Sequence, residues 1–149
     1  MIVFMPPKRV ALAADHAGFP LKEAVKAHLQ SQGIDVADVG TFSTDPVDYP
    51  KVIRAGCAIV LNEGVPGIVF GGSGNGEAIA ANKVKGIRAA LCYSEETAKL
   101  ARQHNDANVM SLGGRLIEPA LALKLVDVFL STPFEGGRHM ARINDLETT

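Results

Sequence analysis

The stretch Gly71-Gly72-Ser73-Gly74-Asn75-Gly76-Glu77 places four glycines in six residues directly before a glutamate. Glycines at that density let backbone N–H groups turn toward a bound anion or a developing oxyanion, and the start of a following helix adds to the effect. No Gly-Lys-Ser/Thr follows, so this is not a Walker A loop. The glycine spacing also fails to match a dinucleotide fingerprint. Glu77 has two readings, as a first-turn partner of the helix dipole or as a group that moves a proton beside the loop. Asp15-His16-Ala17-Gly18 supplies a second polar pair, for which the plainer reading is a helix cap and a turn histidine. His104-Asn105 closes a helical stretch, where a histidine is commonly structural and is favoured beside the helix end when protonated. Arg115 follows Gly113-Gly114. Arg138 and Arg142 stand i, i+4 apart in the tail, a spacing that puts both guanidinia on one helical face as a phosphate clamp.

Strand-like runs must position these groups. They are read at Arg9–Ala14, Ile34–Val39, Gly67–Phe70, Ile87–Leu91 and Val109–Leu112, as continuous aliphatic segments suited to strands covered on both faces. Between them lie helix-length amphipathic stretches. Leu21, Val25 and Leu29 recur every four residues, with Lys22, Glu23, Lys26 and Gln30 off that stripe. Gly33 follows as a stop, and a later helix opens at Glu118-Pro119 with Leu121, Leu125, Val128 and Phe129 on one face. Five strands interleaved with helices predict one α/β domain over residues 1–149, a doubly wound parallel sheet with helices on both faces. In such folds ligands sit at the carboxyl ends of the strands. The residues singled out after the first and third strands fall there.

Composition excludes several functions. Fifteen basic residues balance sixteen acidic ones, so no global field recruits nucleic acid or an anionic membrane. Tryptophan is absent and aromatics are sparse, which leaves little for base stacking. No apolar run approaches a membrane span, and the apolar start is interrupted by Pro6-Pro7 before it could serve as a secretion signal. Cys57 and Cys92 lie far apart without metal-ligand spacing and read as reduced packing residues of a cytoplasmic protein. No metal and no cofactor is expected.

Asp15-His16-Ala17-Gly18, Asp48-Tyr49-Pro50, Gly72-Ser73-Gly74-Asn75-Gly76-Glu77, Ala80-Ala81-Asn82-Lys83, His104-Asn105, Gly113-Gly114-Arg115 and Arg138…Arg142 together resemble the ribose-5-phosphate isomerase B family. That family also holds galactose- and allose-6-phosphate isomerases. The resemblance implies a flavodoxin-like sheet of five strands and a homodimer or dimer of dimers. Active sites would be shared between subunits, with the tail from about residue 133 onward reaching its neighbour. It implies Glu77 as general base, His104 as the acid that opens the sugar ring, and Ser73 among the catalytic groups. Asp15, His16, Tyr49, Gly72, Ser73, Gly74, Asn75, Gly76, Asn105, Arg115, Arg138 and Arg142 would bind the substrate, a small phosphorylated sugar. Much of the family carries a cysteine base where this sequence has Gly71, so the resemblance is to the glutamate branch, and neither cysteine here is expected to be catalytic. Ribose 5-phosphate is the expected substrate. A four-carbon erythrulose phosphate or a six-carbon allose or galactose phosphate is the alternative, and a non-catalytic nucleotide- or flavin-binding module is the rival from another class.

Overall fold

The structure is a computed structural model that describes residues 4–148. Its strands are β1 (Arg9–Ala14), β2 (Asp35–Asp38), β3 (Gly67–Gly71), β4 (Ala89–Leu91) and β5 (Val109–Gly113). Its helices are α1 (Phe19–Ser31), α2 (Tyr49–Glu63), α3 (Asn75–Asn82), α4 (Glu95–Asn105), α5 (Pro119–Ser131) and α6 (His139–Leu146). Side chains alternate across a strand, and that alternation divides the core in two. Val10, Leu12, Ile68, Phe70, Met110 and Leu112 pack with α1, α4 and α5 on one face. Ala11, Ala13, Val69 and Val109 pack with α2 and α3 on the other. The sheet is parallel throughout, in the order β2-β1-β3-β5-β4. The α/β class is as read from sequence, but the last two strands are interchanged relative to the flavodoxin order. The short edge strand β4 lies outside β5.

All five strand readings coincide with strands, and the differences are at the ends. The outer strands β2 and β4 are shorter than their apolar runs and only partly covered, since an edge strand has a neighbour on one side alone. β3 and β5 extend by one glycine each, to Gly71 and Gly113. On α5 the buried stripe is Ala122, Leu125, Val126, Phe129 and Leu130, so Leu121 and Val128 flank it.

Lys22 overturns the pattern reading of α1. Its side chain has no exposed surface although it lies off the Leu21/Val25/Leu29 stripe. Its ammonium donates to Asp38 at 2.6 Å and to Glu23 at 2.8 Å, and sits 5.3 and 5.2 Å from the ring centroids of Phe19 and Phe42. Burial pushes the Asp38 carboxyl upward. Hydrogen bonds from Lys22, the Gly40 N–H and Lys26 more than offset this and leave it below its ordinary value. The pair ties α1 to the exit of β2 and to the loop that leads back toward the site.

The tail packs against its own chain at the end of α4. The Glu135 N–H donates to the Gln103 carbonyl at 3.1 Å, and Arg88 joins the Asn105 carbonyl, the Asp106 carbonyl and the Glu147 carboxylate. Arg138 and Arg142 stay exposed on the tail, the latter folded back to donate to the Arg138 carbonyl at 3.0 Å.

Candidate active site

β1 and β3 are neighbours whose following helices, α1 and α3, depart to opposite faces of the sheet. A crevice therefore opens at their carboxyl ends. Asp15 and the glycine loop line it and touch each other. The Asp15 N–H donates to the Phe70 carbonyl at 3.0 Å, and the Asp15 carboxylate accepts from the Gly18 N–H at 2.8 Å. The cap reading of Asp15 is thus half right: it closes its own turn, while Gly18 is the N-cap of α1. His16 accepts the Val47 N–H at Nδ1, 3.2 Å away, which leaves its neutral ring protonated at Nε2.

Glu77 is the third residue of α3 and only 4% exposed. A side chain at Gly71 would land on its carboxylate, so the absence of a β-carbon at 71 is what makes room for the acid. Burial raises the Glu77 pKa above its ordinary value, and the nearby Asp15 charge raises it further. Gly74 turns the loop with φ +83°, and the buried Ser111 hydroxyl holds the turn by donating to the Gly74 carbonyl at 2.7 Å. The Ser73 hydroxyl oxygen accepts the Asn75 N–H at 3.2 Å, which leaves its own proton free for a ligand. Tyr49 lies over Gly76, and the Arg115 side chain lies over Gly72. Asp15, His16, Tyr49, the loop from Gly72 to Gly76, Glu77 and Arg115 thus form one continuous edge.

His104, Asn105, Arg138 and Arg142 lie elsewhere. His104 and Asn105 end α4 just before β5 begins, level with the start of β3. Paired positions run from Gly67↔Val109 to Gly71↔Gly113, so a strand length of about 13 Å separates that end from the glycine loop. The tail joins His104 at the amino edge: the His104 and His139 rings stack at 4.4 Å and 18°. Burial, then the Arg138 charge, push the His139 imidazole below its ordinary pKa. In a single chain the residues of the expected site therefore form two half-sites at opposite edges of the sheet.

A sequence model of the family described as Ribose/Galactose Isomerase matches residues 10–146. The chain belongs to the ribose/galactose isomerase family. It is 50% identical over 145 residues to ribose-5-phosphate isomerase B of Mycobacterium leprae, covering 95% of this chain and 90% of that relative. It is 43% identical over 137 residues to the protein of that name from Escherichia coli, covering 91% and 92%. Its fold matches the ribose 5-phosphate isomerase of Thermotoga maritima with a TM-score of 0.93, at 48% identity over 95% of this chain and 98% of the other. The isomerase of Mycoplasma genitalium, whose structure carries bound ribulose-5-phosphate, matches with a TM-score of 0.89 at 40% identity, covering 94% of each chain.

In this ribose/galactose isomerase, an enzyme by its family, several supporting residues escape a sequence reading. Ser111 sits inside an apolar strand and gives no sign that it holds Gly74. Asn82 stands within the quoted Ala80-Ala81-Asn82-Lys83 motif, and the structure gives its task. Its amide pairs with both the N–H and the carbonyl of Ala89, at 2.8 and 2.9 Å, clamping β4 to the end of α3. Arg88, in the connector just before β4, braces the end of α4 from a segment that carries no motif. Cys57 and Cys92 are buried, unpaired and away from the loop, and burial pushes both thiols up to about 11. Among the described residues no helix is long and apolar enough to cross a membrane.

Proposed function

We propose that this chain interconverts ribose 5-phosphate and ribulose 5-phosphate through an enediolate, with Glu77 as the base and His104 of a second copy as the ring-opening acid. The observation that carries the reading is the seat of Glu77, a buried carboxyl of raised basicity at the mouth of the glycine loop. Once the ring is open, Glu77 takes the proton from C2 and returns it to C1 while a proton passes from the O2 hydroxyl to O1, so one carboxylate serves both carbon steps of the isomerisation. Negative charge builds on the substrate oxygens between these steps. The loop N–H groups and the free Ser73 O–H face that charge, an effect worth about 3 kcal/mol per well-placed donor. The His16 Nε2–H and Asp15 hold substrate hydroxyls. Arg115, with Arg138 and Arg142 of the second copy, takes the phosphate, whose remote binding energy orients the reacting carbons.

The division into two half-sites supports a homodimer, alone or paired into a tetramer, in which the carboxyl edge of one subunit meets His104, Asn105 and the tail of the other. Two buried, unpaired cysteines fit a reducing cytoplasmic setting. The named relatives and the ribulose-5-phosphate bound to the Mycoplasma genitalium protein favour a five-carbon substrate. The test is Glu77→Gln assayed on ribose 5-phosphate. General-base catalysis contributes about 10²–10⁴-fold, so kcat should fall by that factor with ligand affinity changed only a few-fold. A variant that retained more than about a tenth of the wild-type kcat would overturn the assignment.

A further inference from the structure

His104, Glu135 and His139 come from the end of α4, the connector after α5 and the start of α6, and they converge on one point. The Glu135 carboxylate lies 4.0 Å from Nε2 of His104 and 3.8 Å from Nε2 of His139. The three ligand-capable atoms all lie within 4.8 Å of one another. None of these distances is a hydrogen bond. Nε2 of His139 is buried and has no hydrogen-bond partner among the described residues, a condition that native structures rarely leave unanswered. The His139 ring stacks on His104, and the tilted Phe134 ring lies 6.5 Å from it between centroids. The bond from the Glu135 N–H to the Gln103 carbonyl fixes the carboxylate beside the end of α4.

We propose that His104, Glu135 and His139 bind a divalent transition metal, with zinc as the fitting ion, and that its binding silences the enzyme. Two imidazoles and one carboxylate are the donor set of open zinc sites, whereas magnesium and calcium take oxygen donors. Bonds of about 2.0–2.2 Å in a tetrahedron place donor atoms about 3.4 Å apart, so the donors must close by roughly 1 Å and the His104 ring must turn out of its stack on His139, so that both Nε2 lone pairs aim at the ion. The side chains of His104 and Glu135 are 37% and 43% exposed and free to make these moves. The ion would give Nε2 of His139 its missing partner and leave a fourth position open. Arg138 and Arg142 on the same tail repel a cation, so the site is reversible rather than structural. A metal on Nε2 of His104 occupies the lone pair or proton that ring opening uses. The inhibitory half of the proposal rests on the role proposed for His104; the binding half does not.

Cobalt(II) serves as the spectroscopic probe for binding, titrated into the full-length protein. Wild type should develop the visible absorption of a nitrogen/oxygen-ligated ion at one equivalent per chain, and zinc should displace it. Glu135→Gln and His139→Ala should each weaken that binding at least tenfold, and the exposed position of Glu135 keeps the first variant informative if the second disturbs the tail. Absence of uptake by wild type, or equal affinity in both variants, would overturn the site. In parallel, zinc should inhibit turnover of ribose 5-phosphate reversibly with EDTA. The half-inhibitory concentration should rise at least tenfold in Glu135→Gln. Metal uptake without loss of turnover would overturn the inhibitory half alone. Uptake by a protein that turns over no ribose 5-phosphate would leave the metal site standing and defeat the isomerase reading.

Discussion

At the scale of single residues, the Glu77 carboxyl and the missing side chain of Gly71 are one feature. The carboxylate occupies the volume that any β-carbon at 71 would need, so a side chain at position 71 would push the Glu77 carboxylate out of its present seat. Burial also sets a pH dependence. The folded pKa of Glu77 lies above the ordinary value of 4.5, chiefly through desolvation and then through Asp15. The protonated form is favoured by folding. The stability it contributes is complete below pH 4.5 and is lost as pH rises through the folded value. Glu77→Gln, which stays neutral, should therefore melt above wild type at pH 7, and the gap should close as pH falls toward 4.5, read by calorimetry across that range. A constant gap at all pH values would show that the carboxyl is not desolvated. The same displacement should carry the acid limb of kcat/KM above the ordinary carboxylate range.

At the scale of elements, the Lys22–Asp38 pair joins α1 to the exit of β2. Breaking a buried pair strands the surviving charge, at a cost of about 3–5 kcal/mol. Asp38→Asn leaves the ammonium between two aromatic rings with only the half-exposed Glu23, and should lower the unfolding free energy by about 3 kcal/mol. Lys22→Met should cost clearly less, since Asp38 keeps Lys26 and the Gly40 N–H. Denaturant unfolding of the two variants gives the order, and the reverse order would mean that the pair is not the joint. Periodicity cannot reveal such a lysine, because a pattern treats charge as surface and the partner lies sixteen residues away. What was legible was local. Gly33 and Glu118-Pro119 marked the end of α1 and the opening of α5, and the aliphatic runs marked all five strands. Strand order was not legible, because β4 and β5 have similar apolar content and only the path of α4 decides which lies inside. The chemical groups were legible as residue types in sequence. How the two edges are brought together was not, because that depends on how copies of the chain meet.

At the scale of the molecule, one sheet carries the expected site residues on two opposite edges, and the proposed dimer joins these unlike halves. Glu77→Gln removes the proposed base from the carboxyl edge, and His104→Ala removes the proposed acid from the amino edge. Mixed and allowed to exchange subunits, these two inactive proteins should recover toward half of wild-type activity per mixed dimer, since one of its two sites is intact. His104→Ala mixed with Arg138→Ala/Arg142→Ala is the control. Both lesions touch the amino-edge half-site, so every site they form together stays defective. Activity assays after exchange, with mixed dimers verified by native mass spectrometry, give the outcome. No recovery in the first mixture would place the whole site within one chain.

In the proposed dimer, opposite edges also give the enzyme a genetics of cis and trans. A single lesion in one subunit spoils one pocket of a heterodimer and spares the other. Two lesions carried in cis, one on each edge of the same polypeptide, spoil both pockets of any dimer that this polypeptide enters, although its partner is wild type. Such an allele is dominant-negative by geometry alone, and in a cell expressing both alleles only the dimers that exclude it would work. The same two lesions carried in trans would complement.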